Sequence, residues 1–381
     1  MFDWLIKIFT SLKLTVTLLA LGIVLVFWGT LAQVHLGLFK AQNEFFRSFF
    51  IYWQPAGANW RLPIFPGGYL VGGLLLINLF AAHFRYYQPG KKKFGIVLIH
   101  LGVVLLLLGQ FLTDFLSTES AMHIRAGGTA NYSESDRHYE LAVIDTTDAD
   151  SDKVVAIPAS LLTPGKKVSH AELPVNVEAK SYFVNSSLSS KPGEGYTEVK
   201  TTAGSSSGIW WRELPRETAM DRRDIPSGIM ALETPKGSLG TFLVSGFLSR
   251  PKEFKLDGRT YKLELRPIRH YKPFSLQLIE FKHDKYPGTE IPKNFSSRVR
   301  LHRPATGEDR EVLIYMNSPL RYWGETYYQA SFDPDDQGTI LQVVHNPSWL
   351  TPYFSCVMVA AGLLVQFFTH LVNFAAKRRT T

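Results

Sequence analysis

The chain has 381 residues, 45% of them hydrophobic, with 41 Lys and Arg against 33 Asp and Glu for a formal charge of +8 at pH 7. A single cysteine, Cys356, excludes an intramolecular disulfide, a CxxC redox pair and a thiolate metal cluster. The basic excess needs no nucleic-acid partner, because Lys7, Lys13, Arg85, Lys91, Lys92, Lys93, Lys377, Arg378 and Arg379 all flank apolar runs.

Those runs come in chain order at 14–34, 67–86, 94–113 and 352–374. At 1.5 Å rise, about 20 residues cross a hydrocarbon core of about 30 Å, so each predicts a transmembrane helix. The first exceeds the usual apolar core of a signal peptide and is followed closely by two more, so it is expected to stay uncleaved. In the second, Gly68 and Gly72, with Gly67 and Gly73 beside them, form a small-xxx-small face suited to close approach by another helix. The three basic clusters fall on one side, which the positive-inside tendency makes the cytoplasm. The expected organisation is a membrane region at 1–114, an exported domain at 115–350, and a final helix with a basic cytoplasmic tail at 351–381. An exported domain without disulfides fits a bacterial envelope or an organelle lumen better than a vertebrate extracellular setting, and the expectation is a multi-pass protein of the bacterial inner membrane.

Residues 115–350 alternate apolar and polar positions in short segments such as HYELAVID, LPVNVEAKSYFV, FSLQLIEF, REVLIYMN and ETYYQASF. That period predicts strands, and Asp257-Gly258 predicts a hairpin turn, as does ATGED before REVLIYM. The expected fold is a β-rich sandwich or barrel-like domain, with a division into two sub-sheets near the Ser/Gly/Lys-rich loop from Ser186 to Gly208. No nucleophile elbow, zincin, P-loop or dinucleotide fingerprint is present. Trp210-Trp211 reads first as packing and second as a binding surface. Arg298, Arg300, His302 and Arg303 read as a solvated face.

His83, His100 and His370 fall in the cytoplasmic half of the spans, the last two about 9–10 Å inside the same face. A neutral imidazole in lipid carries one donor and one acceptor that cost free energy if unpaired. An interhelical hydrogen bond worth about 0.6–2 kcal/mol is the plainer use for His83 and His370, where a side chain can also snorkel to the interface. His100, apolar on both sides, points to function. A proton relay normally needs carboxylates, and the spans hold none except Asp114 at the outer end of the third. Metal or haem ligation needs no such company.

Four stretches, SLKLTVTLLAL, IHLGVVLLLLGQFLTD, NSPLRYWGETYYQASFDP and NPSWLTPYFSCVMVAAGLLVQF, together with the arrangement of spans, resemble the ResB-like (CcsB-type) membrane proteins of the system II cytochrome c maturation pathway. The resemblance implies a role in carrying haem b across the membrane and presenting it to exported apocytochrome c. It implies a partner, a CcsA-type membrane protein bearing a tryptophan-rich WWD motif. It also implies one intramembrane histidine as axial ligand to haem iron: His100 by position and its HLG context, with His83 in reserve and His370 after it. Trp210-Trp211 is followed by Arg212 and Glu213, so no WWD segment is present and the chain is not expected to be catalytic alone. The competing expectation is a non-catalytic assembly factor that holds apocytochrome or another exported client, its histidines only packing. A secondary transporter is a weaker fit, since no inverted repeat is detectable.

Overall fold

Four helices with the length and apolarity to cross a membrane bracket a β-rich unit in the computed structural model, which describes residues 2–55, 57–86, 93–149, 151–204, 206–219, 222–289 and 292–379. The basic link residues Lys91 and Lys92 lie outside that set. One unit gathers Met1–Thr118, Thr218–Met220 and Asn346–Thr381, and the other comprises Glu119–Glu217 and Asp221–His345.

The helical unit contains α1 (Phe2–Phe9), α2 (Leu12–Leu36), α3 (Leu38–Ala41), α4 (Gly68–Tyr86), α5 (Phe94–Leu116) and α6 (Thr351–Arg379). The break between α1 and α2 is fastened by Asn78 of α4, which is 2% exposed. Its Nδ2 donates to the carbonyls of Phe9 at 2.8 Å and Ser11 at 3.3 Å, and its Oδ1 accepts from Thr15 Oγ1 at 2.6 Å. A buried amide is costly unless paired, so this one polar residue fixes the register of α2 against α4.

The tightest helix contact is not on the second span. A Cβ built on Gly72 or Gly73 meets no described atom within 4 Å, while Gly67 and Gly68 lie against the Phe46–Ser48 turn rather than a helix. The seam runs instead along α5, where Gly95, Gly102 and Gly109 recur every seventh residue against α6. A Cβ on Gly102 would stand 2.7 Å from Val359 Cγ2 and 3.0 Å from the Ser355 carbonyl oxygen. Glycine is required there because the backbones themselves are in contact.

Between α2 and α4 the chain makes a π turn at Gln42–Phe46 and a hairpin of β1 (Phe50–Trp53) and β2 (Leu62–Pro66). Leu25, Trp28, Phe45, Ile51 and Phe65 form a small core beneath it.

The β unit comprises β3 (Thr118–Arg125), β4 (Thr129–Asp145), β5 (Lys153–Pro158), β6 (Lys167–Val168), β7 (Asn176–Phe183), β8 (Ser186–Ser189), β9 (Thr197–Glu198), β10 (Trp210–Glu213), β11 (Ser227–Thr234) and β12 (Gly237–Ser245). It continues with β13 (Lys252–Leu256), β14 (Arg259–Lys285), β15 (Pro292–Arg303), β16 (Glu308–Tyr315), β17 (Leu320–Tyr322), β18 (Glu325–Phe332) and β19 (Gly338–His345). Its largest sheet runs β16-β15-β14-β4-β3-β19-β18-β17, with β13 paired to β14 and β5 to β4. A second sheet has the order β12-β11-β7-β6, and a third, β8-β10-β9.

Two cores result. Leu141, Val177, Leu232 and Leu263 sit in one; Leu276, Val299, Ile314 and Leu341 sit in the other. The long strands β4 and β14 feed both, because their pairing slips between Pro267 and Arg269 and again between Tyr271 and Leu276. Each slip changes which face a side chain occupies, and the bulge also accommodates Pro267 inside a central strand. The expected division near Ser186–Gly208 is not where the cores part. Segments before that loop (Leu141, Val177) and after it (Leu232, Leu263) share one core, since strand pairing across the sheet overrides chain order.

Candidate functional site

α4 and α5 bring His83 and His100 together. Their ring centroids are 6.1 Å apart with planes at 79°, and both side chains are half-buried. Chain direction explains the meeting: His83 lies three residues before the end of α4 and His100 six after the start of α5, so the two helices place them at the same end. Phe84 stands edge-on to His83, while Ile99 and Leu101 flank His100 in the chain. His370 is exposed on α6, and its Nε2 is 2.8 Å from Gln366 Nε2 one turn earlier. It belongs to that intrahelical pair and not to the other two rings.

Among the described residues no group of three His, Cys, Asp or Glu forms a metal cluster. Two imidazoles on apolar helices suit an iron whose equatorial ligands come with a macrocycle, because such a centre asks the protein only for axial nitrogen donors. A bare cation, which needs three or four protein ligands, does not fit.

Among the histidines of the helical unit, His35 is the one the sequence does not single out. α2 runs to Leu36, two residues past the expected end of the first span, and so takes exposed His35 into its last turn at the far end of the unit. Gly37 was the signal: it caps α2 at φ 79°, a helix stop that glycine adopts readily.

At that same far end Asp114 of α5 is satisfied twice. Arg47 Nε lies 2.7 Å from its Oδ1, and the Tyr69 hydroxyl donates to its Oδ2. One carboxylate thereby ties the turn after α3, the first turn of α4 and the last turn of α5.

Several charged groups of the β unit are held in paired clusters. Arg266 and Glu140, 5% and 9% exposed in their side chains, pair at 3.0 Å, and Glu264 meets the same guanidinium at 3.2 Å. Lys272 pairs with Glu325, which also accepts from Tyr327 Oη at 2.6 Å. Burial, then that hydrogen bond, pushes the Tyr327 phenol well above its ordinary range. Burial opposes ionisation of Asp333, yet hydrogen bonds from His123 at 2.9 Å and Arg125 at 2.8 Å overcome it and hold the carboxyl below its usual pKa. His283 Nδ1–H donates to Asp336 Oδ1 at 3.0 Å and the ring packs against Phe332, with Nε2 buried and unbonded among the described residues. Trp211 is buried against Phe183 at 4.6 Å, which supports the packing reading. Arg298 pairs with Glu280, and Arg300 is held by Asp309, with His302 3.9 Å from the same carboxylate; this is a charge-balanced face.

The model of the ResB-like family matches residues 258–340, from the β13–β14 turn into β19. Protein NrfI of Wolinella succinogenes is 27% identical over 296 residues, covering 77% of this chain. The alignment covers only 29% of that relative's own length. The chain is thus ResB-like over a segment that includes NSPLRYWGETYYQASFDP, and distantly similar to NrfI over a longer stretch. His83 and His100 lie outside the segment matched by the family model.

Proposed function

We propose that this chain is a membrane subunit of the system II cytochrome c maturation machinery, holding haem b on its way to exported apocytochrome c. The ResB-like match and the similarity to NrfI support a role in cytochrome c biogenesis. The meeting of His83 and His100 is the observation that carries the haem assignment. In this reading α2, α4, α5 and α6 span the bilayer with the basic clusters on the cytoplasmic side, and the β unit lies outside.

Haem here is cargo. Its iron takes axial imidazoles, and its apolar macrocycle tolerates the interior of a helix bundle. His100 supplies one such imidazole. His83, in ring contact with it, orients that ring and stands ready as the alternative donor. The CcsA-type partner supplies the opposing ligand and the WWD surface at which the vinyl groups become thioethers, so covalent attachment belongs to the complex.

Co-expression with a CcsA-type partner tests this. The purified complex should show a bis-imidazole haem spectrum and mature a c-type cytochrome, and the chain alone should mature none. Robust attachment by the isolated chain, or a haem-free complex that still matures cytochrome, would overturn the reading.

A further inference from the structure

The hairpin between α2 and α4 is apolar on both faces. Ile51 and Phe65 turn inward, with Phe65 5.8 Å from Trp28 ring to ring and Trp28 5.4 Å from Phe45. Phe50 and Tyr52, on the face of β1 opposite Ile51, are 41% and 44% exposed, and Trp53, Trp60, Leu62 and Ile64 along the rest of the hairpin are 44–57% exposed. A two-stranded sheet with such a face is an aggregation hazard in water, so something covers it.

Depth decides what. Trp28 lies eight residues before the end of α2, about 12 Å along its axis. α2 has 25 residues, about 37 Å of helix, so about 7 Å exceeds the hydrocarbon it would cross. Even with all of that excess at the outer end, Trp28 stands about 5 Å inside the hydrocarbon boundary, so Phe65 on it places the base of the hairpin in the outer leaflet just beneath the headgroups, on the side opposite the basic clusters. Its backbone agrees with that level. Two strands leave two unpaired edges, which are costly in pure hydrocarbon but can be solvated among headgroups, and Pro63 and Pro66 remove two edge donors. Its side chains agree as well. Trp and Tyr rings favour the interface, and Arg61, 4.4 Å above the Tyr52 ring, offers a guanidinium to lipid phosphate.

We propose that the hairpin Phe50–Pro66 is an interfacial anchor seated in the outer leaflet, with phospholipid as its partner. The inference rests on the membrane-spanning reading above and adds a built device to it. An anchor two residues before α4 fixes the height of that helix, and with it the depth at which His83 stands.

Site-directed spin labelling of the full chain tests this in vesicles of phosphatidylethanolamine and phosphatidylglycerol. A Cys356→Ser background leaves no other thiol. Labels at Trp53→Cys and Trp60→Cys, with Tyr52→Cys as a milder variant, should be several-fold more accessible to oxygen than to a nickel chelate. Val24→Cys in the middle of α2 gives the lipid reference and Lys166→Cys the aqueous one. Chelate access at the hairpin equal to that at position 166, beside a lipid-facing position 24, would overturn the anchor alone. Exclusion of both reagents would mean a protein covers the face and would overturn it too. Chelate access at position 24 would bring down the spanning reading itself, and the anchor with it.

Discussion

His83 of α4 and His100 of α5 meet edge to face, with ring centroids 6.1 Å apart. A pair of imidazoles on adjacent apolar helices is costly to keep unless each finds a partner, so the proposed haem-holding role is tested on the two residues together. His100 lies deeper from its helix end than His83, and the proposed roles differ accordingly.

The first prediction separates those roles. His100→Ala should keep α5 intact, because Ala favours helix, and the protein should accumulate. Haem co-purified with the partner complex and cytochrome maturation should both fall, and added imidazole should restore part of each. His83→Ala should fall less, the double variant further than either, and His370→Ala should match wild type, since its partner is Gln366. A normal haem spectrum in His100→Ala would sink the ligand assignment, and a collapse at His83 with imidazole rescue would transfer it there.

A second prediction concerns the β unit. Glu140→Gln keeps an oxygen acceptor but removes a charge, leaving Glu264 as the counter-charge of the buried Arg266 guanidinium. Breaking a buried pair costs about 3–5 kcal/mol, and the surviving Glu264 contact places this change near about 3 kcal/mol. The double change Glu140→Leu with Arg266→Met should recover much of the loss, since it buries no charge. Denaturant unfolding followed by intrinsic fluorescence measures both, and a loss in Glu140→Gln below about 1 kcal/mol would contradict the buried-pair account.

Depth along a helix is readable from sequence, and azimuth is not. The position of His100 six residues into its span was plain, but its contact with His83 depends on how α4 and α5 rotate about their axes. The glycines show the same limit. The cluster at Gly67, Gly68, Gly72 and Gly73 is denser than the one that works, whereas the spacing of seven at Gly95, Gly102 and Gly109 matters because α6 happens to face it. Local chemistry was more faithful. Asp257 and Gly258 turn with φ of 48° and 81°, closing the pair Leu256–Arg259 as an Asp-Gly hairpin should. The hairpin at Phe50–Pro66 escaped notice because aromatic residues on both faces erase the alternation that marks a strand.

Acid should act through Asp333. Its folded pKa is depressed, so its contribution to stability is complete above the unfolded carboxyl value of about 3.9 and fades as pH falls through the folded value. Asp333→Asn should lose stability at neutral pH, where the Arg125 contact counts, and should show a shallower decline of melting temperature on acidification. The two proteins should converge at the acid end of the profile. Parallel melting curves for both across the acid range would remove Asp333 from the account.

The final prediction concerns the seam that seats α5. Gly102 lies two residues from His100 and touches α6 so closely that a methyl group would press on the Ser355 carbonyl and the Val359 side chain. The carbonyl cannot move without moving α6, so Gly102→Ala should destabilise the helical unit by about 1–3 kcal/mol, the usual cost of overpacking a tight contact. Gly72→Ala is the control. No described atom comes within 4 Å of the added carbon there, and replacing glycine within a helix should be neutral or stabilising by about 0.5–1 kcal/mol. Thermal unfolding in detergent compares the pair, and the haem spectrum of the partner complex adds a second readout. A shift of α5 against α6 moves the His100 ring relative to His83, so Gly102→Ala should also weaken haem retention while Gly72→Ala leaves it unchanged. Equal melting temperatures in the two variants would show that α5 and α6 part more freely than their contact implies. The close approach at Gly102 would then not be what positions His100.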